Sequence, residues 1–536
     1  MIKQWMMGAL SLCLLCIMVP VSAAAQEAPI AKEKILFVPH DGRPISDRQT
    51  ADVVRKLGYE VVVPPQEMLG GRDDLGDPEK LWAWTEKNIQ GVKAAVVSAD
   101  SMIYGSLVAS RKHNYEQGQL EARAARFAQL RQANPGLKIY VFGSIMRTPS
   151  SGANAGSEEP DYYLTYGSDI FRYTALADRE ESGGITAQEK AEKDALLKAI
   201  PAQYLQDWMG RRAKNFAVNH QLIDLDRTGT FDYMILGKDD NAPFSQTHKE
   251  SRALTKYGAD LGATKFQAMT GIDEMGMLLL TRAVNDMTHT VPFIHVSYNK
   301  GVGGATIPAY SDERIDTSIH SAILAAGAMQ VAAPDRADLV LLVNTNPDGH
   351  TYDANGLDNE WMNTRQPKDG TMYFADKVNA AVDQGLPVAV ADIACANGAD
   401  NALMEQLKKK GLLFKLRAYA GWNTATNSSG FVLGEGMLAS RMTDDARDQL
   451  LLNRYLEDWG YQVNVRTMIH KQFEWLRSDQ LYSTMGRHQA AAEARVTSLL
   501  RQFAEENLPP FDGLQQLQVT FPWSRGFEVS IELPAA

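Results

Sequence analysis

Two pairs of adjacent carboxylates, Asp239-Asp240 and Asp273-Glu274, are the residues in this sequence whose types best suit acid–base chemistry. A single Asp after a strand is readily explained as a helix cap, its side-chain oxygen satisfying orphan backbone N–H groups. A second carboxylate beside it is costly unless a ligand, a metal or a shared proton relieves the repulsion. Such a pair suits glycosidic hydrolysis, where one carboxyl group protonates the leaving oxygen and another stabilises or attacks the anomeric centre. In the substrate-assisted variant the sugar's own acetamido group attacks, and the carboxyl whose pKa is raised by its neighbour is the acid. Asp239 and Asp240 are the preferred pair, with Asp273 and Glu274 the second choice.

Other polar residues also follow short apolar runs. Asp41, Arg43, Asp100, Arg147, Asn344, Asp392, Asn397, Asp400, Trp422 and Asn423 are expected to line a substrate pocket. Trp422 would stack on the apolar face of a sugar while the Asn side chains bond its hydroxyls; a core position for Trp422 is the equal alternative. Arg43, Arg111 and Arg147 suit an acidic substituent, because a guanidinium meets a carboxylate or phosphate with two parallel N–H bonds; pairing with Asp41 or Asp100 is the structural alternative. The tip Lys238-Asp239-Asp240 resembles the Asp-Asp tip of hexosaminidases related to O-GlcNAc hydrolases, and Gly271-Ile272-Asp273-Glu274 is similar to the Asp-Glu tip of another hexosaminidase group.

Two rival readings stand beside the glycosidase. A metal-dependent hydrolase would use Asp41, Asp100, Asp239, Asp240 and Asp392 as oxygen ligands. His40 is the only histidine at a tip beside an acid, and no His-x-His or His-Glu-x-x-His spacing occurs, which argues against zinc. A carbohydrate-binding protein of the periplasm would need aromatic and hydrogen-bonding groups but no clustered acids. A nucleophilic mechanism is poorly supported, since Gly-x-Ser-x-Gly is absent and Cys395 has no neighbouring histidine. No cofactor and no metal is expected.

The elements that must position these residues are short β-branched runs alternating with longer amphipathic stretches. Ile35–Val38, Val61–Val63, Ala94–Val97, Ile139–Phe142, Tyr233–Leu236, Phe293–Val296, Leu339–Val343 and Val388–Val390 read as strands buried on both faces. The class is therefore α/β with mostly parallel βα repeats, either a barrel of TIM type or two doubly wound open sheets in two domains. In either case the ligand sits at the carboxyl ends of the strands. Residues 34–435 are expected to form this body, with an insertion at 148–231 acting as a cap. Residues 436–536 read as a helical region ending in a hairpin around Pro522 and Gly526, with little chemistry of its own.

The first residues carry Lys3, an apolar run from Met6 to Val21 and small residues Ala23 to Ala25, the pattern of a signal peptide over 1–25. The expected location is periplasmic or secreted, with no membrane anchor once the leader is removed and with a glycan as partner. Cleavage would leave Cys395 as the only cysteine and hence no disulfide. A net charge of −11, with no Lys/Arg cluster interleaved with aromatics, excludes a nucleic-acid partner. The oligomeric state is left open.

Taken as an ordered set, the tips resemble one family. Pro39-His40-Asp41-Gly42-Arg43-Pro44, Ser98 to Gly105 with Ser110-Arg111, Ile145-Met146-Arg147, Arg211-Arg212, Asp239-Asp240, Asp273-Glu274, Asn397 to Asp400 and Tyr419 to Thr424 are similar to a bacterial family known as domain of unknown function 4127. The resemblance runs from about Lys34 to Arg466 and departs from the pattern at His40, where an apolar residue is more usual. It implies kinship and no activity.

Overall fold

The computed structural model describes residues 33–152, 158–354, 363–472 and 485–533; the leader expected at 1–25 lies outside them. The apolar runs form strands, and the strands form two parallel sheets. The first contains β1 (Lys34–Val38), β2 (Glu60–Val62), β3 (Val92–Ser98), β4 (Lys138–Ile145), β5 (Tyr233–Lys238) and β6 (Phe266–Thr270), in the order β2-β1-β3-β4-β5-β6. The second draws on β7 (Phe293–Tyr298), β8 (Met329–Gln330), β9 (Leu339–Asn344), β11 (Val388–Asp392) and β13 (Ala418–Ala420), in the order β13-β11-β9-β7-β8. Between them in sequence, β10 (Tyr352–Asp353) and β12 (Cys395–Ala396) make a small parallel pair of their own.

Neither sheet closes, which corrects the barrel expectation in favour of two open sheets. A barrel needs each new strand added on the same side of the last. Here β2 sits outside β1 and β8 outside β7, so the chain reverses direction after one crossover in each sheet. That reversal puts successive helices on opposite faces and opens a crevice at the carboxyl ends.

Alternation along the strands feeds a separate core on each face. Ile35, Phe37, Ala94 and Val96 of the first sheet and Leu339, Leu341 and Val343 of the second point into one shared core. Their neighbours Leu36, Val38, Ala95 and Val97 face an outer helical layer that includes Trp82 and Phe127. Val340 and Leu342 face the opposite outer layer, with Trp459, Leu500 and Phe503. The layer between the sheets holds the helices Arg48–Arg55, Met275–Met287, Ile315–Ala325 and Ala425–Ala439.

Every residue of Ala425–Ala439 is buried. Small residues permit this: a Cβ at Gly434 would come within 2.8 Å of Met277, so the two inner helices approach more closely than side chains would allow. The same helix runs through the expected boundary at 435/436.

The insertion at 148–231 contains three helices in the described residues, Tyr163–Gly183, Ala187–Ala199 and Ala202–Arg227. The third packs on β4 and β5 as the ordinary crossover helix, while the first two pair with each other and the first leans on helix Gln246–Tyr257. The tail packs on the outer face of the second sheet and ends in an antiparallel pair, β14 (Gln518–Thr520) with β15 (Ser530–Glu532). No helix among the described residues is long and apolar enough to cross a membrane.

Candidate active site

The carboxyl ends of the first sheet, together with three loops of the second and the turn of the terminal hairpin, surround one cleft. Its walls carry Arg43, Arg111, Arg147, Lys238 and Arg525 against Glu158, Asp239, Asp240 and Asp273. The interior room is about 100 Å³. Pockets that engulf drug-sized ligands run to roughly 300–1,000 Å³, so this one takes a small polar group or one end of a longer ligand.

The tip after β1 is built around Asp41. Its carboxylate accepts from the Arg43 backbone N–H at 3.0 Å and from Arg43 Nε at 2.9 Å, folding the loop and aiming the guanidinium. Arg43 then reaches across to Asp273, with Nη2 2.5 Å from Oδ1 and Nη1 3.2 Å from Oδ2. His40 Nε2 lies 3.1 Å from Asp273 Oδ1, and Asn423 Nδ2 donates to Oδ2 at 2.8 Å. Burial raises the pKa of Asp273, but Arg43 and His40 outweigh it and hold the carboxyl well below the usual range.

The pair Asp273-Glu274 is split between cleft and core. Gly271 has φ of +98°, a left-handed turn at which a Cβ would strike the Glu274 carboxylate. The turn sends Asp273 outward and folds Glu274 inward, where Gly430 leaves room for it: a Cβ there would lie 2.6 Å from Glu274 Cγ. Buried, with Oε2 unpartnered, Glu274 is pushed up to about 8, chiefly by desolvation, which favours its neutral form.

At the tip after β5, Asp239 and Asp240 diverge. Asp239 pairs with Arg111 Nη2, while Asp240, at φ +27°, turns to accept from Arg147 Nη1 at 2.8 Å. Lys238 turns away to Asp312, at 2.8 Å and 3.0 Å, and to Glu313. Asp240 is the more accessible of the two, its side chain 25% exposed against 9% for Asp239. Burial and the neighbouring Asp239 push Asp240 up to about 6, against the pull of Arg147 and Arg111.

Three arginines from distant parts of the chain meet Glu158. Arg111 Nη1 stands 2.6 Å from it, Arg525 Nη1 2.8 Å and Arg147 Nη2 3.3 Å. Arg111 ends the helix Leu107–Lys112, Arg147 follows β4, and Arg525 comes from the turn of the terminal hairpin. There the Arg525 guanidinium lies between the rings of Trp523 and Phe527, at 4.8 Å and 5.6 Å.

The second sheet contributes neutral polar groups to the cleft. Asn397 and Asn423 both adopt left-handed backbone, at φ +63° and +61°, and the Asn397 N–H donates to the Asn423 carbonyl at 2.8 Å. The tips are braced from behind by a π-helix, Tyr455–Val465, whose Asp458 carboxylate accepts from the Gly421 N–H at 2.8 Å and whose Asp458 carbonyl accepts from the Ala399 N–H at 3.1 Å. Such wide turns recur near functional sites.

Of the residues singled out by sequence, Arg43, Arg111, Arg147, Asp239, Asp240, Asp273, Asn397 and Asn423 line the cleft. The others stand elsewhere. Asp41 is fully buried behind Arg43. Asp100 accepts from the Ser144 N–H and Oγ at 2.9 Å and 3.0 Å and, desolvated, is pushed up to about 7. Asn344 donates to Asp392 at 2.9 Å and to Asp400 at 3.2 Å, and Asp400 caps the helix Asn401–Lys409.

Trp422 is 1% exposed and packs on Phe527 with ring centroids 5.8 Å apart, so it offers no stacking face. The helices of the insertion do not line the cleft either; among the described residues its contribution is Glu158. Arg525 and Phe527 reach the cleft from the hairpin to which the sequence reading assigned little chemistry. Among the described residues no group of three or more His, Cys, Asp or Glu side chains is placed to hold a metal ion. The aspartates proposed as ligands are engaged instead: Asp41 by Arg43, Asp100 by Ser144, Asp239 by Arg111, Asp240 by Arg147 and Asp392 by Asn344.

Residues 35–532 match a family model described as protein of unknown function, DUF4127. No curated protein and no solved structure matches the chain.

Proposed function

The chain belongs to the DUF4127 family, and we propose that it is an exported glycoside hydrolase acting on an acidic glycan, with Asp240 as general acid. The observation that carries this reading is the state of Asp240: a cleft-facing carboxyl raised to about 6 beside an ionisable neighbour, among arginines suited to an anionic substituent. Near pH 5 Asp240 retains its proton and can deliver it to a leaving oxygen. Asp273, held ionised by Arg43 and His40, supplies negative charge for the developing oxocarbenium ion.

Trp422 is buried and offers no stacking face to any sugar, and the arginines of the cleft favour the acidic class of glycan. Glu274 has no place in this scheme, since it faces the core. The metal-hydrolase alternative lacks a ligand set among the described residues.

The test is release of new reducing ends from a panel of uronate-containing and sulfated oligosaccharides. Asp240→Asn is expected to lower kcat by about 10²–10⁴-fold, and the activity of the native chain should fall as pH rises through about 6. Tight binding without turnover across the panel overturns the hydrolase reading, and full turnover by Asp240→Asn removes that residue from the acid role.

A further inference from the structure

Glu158 is held as a ligand would be held. Its carboxylate accepts from Arg111 Nη1 and pairs with Arg147 Nη2 and Arg525 Nη1, and although burial raises its pKa, Arg525, Arg147, Arg111 and Arg43 bring it far below the usual range. The adjacent Glu159 differs. It is 1% exposed at the side chain, pairs with Arg147 Nε at 2.9 Å and does not line the cleft, whereas Glu158 does.

Each arginine that meets Glu158 is also fixed on another edge by a different carboxylate. Asp239 holds Arg111 through Nη2, Asp240 and Glu159 hold Arg147 through Nη1 and Nε, and Glu528 holds Arg525 through Nε and Nη2. Moving Glu158 therefore leaves three guanidinium edges in place and converging on one point. Preorganised donors of this kind bind oxyanions strongly, because nothing has to be reoriented on binding.

We infer that Glu158 occupies from within the chain the subsite for a compact oxyanion of the ligand, a carboxylate, sulfate or phosphate group, and that the ligand binds by displacing it. The inference rests on the cleft being a ligand site, and it holds whether or not bond cleavage follows. Binding in competition with an internal carboxylate carries a penalty equal to the fraction of time the site is vacant. Glu158→Gln, which keeps shape and loses charge, should lift most of that penalty.

Isothermal titration of the full chain with inorganic phosphate, sulfate and D-glucuronate, at constant ionic strength set with chloride, reads the effect. For a site filled by Glu158 nine-tenths of the time, Glu158→Gln should bind at least one of these about tenfold more tightly than the native chain, and adding Arg525→Gln should reverse the gain. The probe that gains most identifies the oxyanion class. Because three guanidiniums lose a partner, the variant can be unstable without ligand. Thermal melts then serve: the anion that binds should raise the melting temperature of Glu158→Gln by more than it raises that of the native chain.

Affinities equal to or weaker than native for all three anions overturn the inference, as do melts no more anion-responsive than native. Tightened anion binding with no turnover on any glycan leaves it standing and removes the hydrolase reading. Turnover together with unchanged anion affinity does the reverse.

Discussion

The two sheets share one strand order but for a sixth strand in the first, and both carry aspartates at their carboxyl ends, yet the acids that line the cleft and those of the second sheet live in opposite electrostatic settings. In the first sheet, Asp239, Asp240 and Asp273 each face a guanidinium delivered by a different element. In the second, the Asp392 carboxylate accepts from Asn344 Nδ2 at 2.9 Å, the Tyr419 hydroxyl at 2.8 Å and the Asp400 N–H at 2.7 Å, with no cation among those partners. Asp273 is driven down by Arg43 and His40 against its desolvation, while burial and the nearby Asp400 push Asp392 up to about 7. Dipoles alone do not recover the cost of burying a charge, so the second set prefers its neutral form and serves as internal bracing. An aspartate at a strand tip thus marks a candidate position; the arginines that reach it decide whether it carries charge into a cleft.

The contrast has a direct test in stability. Asp273→Asn leaves Arg43 and His40 buried against a neutral amide, and removing one partner of a buried ion pair costs about 3–5 kcal/mol. Asp392→Asn replaces a group that is already largely neutral below pH 7, and the expected cost is that of imperfect hydrogen bonding, about 1–2 kcal/mol. Equilibrium denaturant titrations at pH 6 measure both. Equal losses would mean that the two sets of tips are electrostatically alike.

The sequence made the strands of this fold legible wherever β-branched residues ran together, as in Leu339–Val343, because such runs fit strands covered on both faces. It did not reveal β6, Phe-Gln-Ala-Met-Thr, an edge strand whose Gln267 and Ala268 are only partly buried. Nor did it reveal β13, Ala-Tyr-Ala, whose small residues admit the close inner helix Ala425–Ala439. The sheet order lay beyond its reach, since buried parallel strands look the same in a barrel and in an open sheet.

Within the cleft, the doubled carboxylates mark two of the tips that line it but not which of their side chains face it. Only the left-handed turn at Gly271 decides that Asp273 faces out and Glu274 in. Glu158 carried a signal, being one of two adjacent acids in the insertion. Arg525 carried none, because its partner Glu158 is more than 300 residues away in sequence.

The dependence of stability on pH separates the two sheets most cleanly, because it differs in sign. An unfolded aspartate titrates near 3.9. Asp392 titrates near 7 when folded, so between about pH 4 and 7 the unfolded chain has lost a proton that the native chain keeps, and stability falls as pH rises. The loss is at most about 1.4 kcal/mol per pH unit, and Asp392→Asn should remove it. The stability gap between the native chain and Asp392→Asn should therefore narrow from pH 5 to pH 7. Asp273 has its folded pKa depressed, so its contribution is already complete above about pH 4 and is lost only as pH falls further. The gap for Asp273→Asn should stay level from pH 5 to 7 and close in acid. Unfolding free energies of the three proteins at pH 3.5, 5 and 7 give the two slopes, and parallel profiles for the two variants would mean that arginine pairing is not what distinguishes the tips.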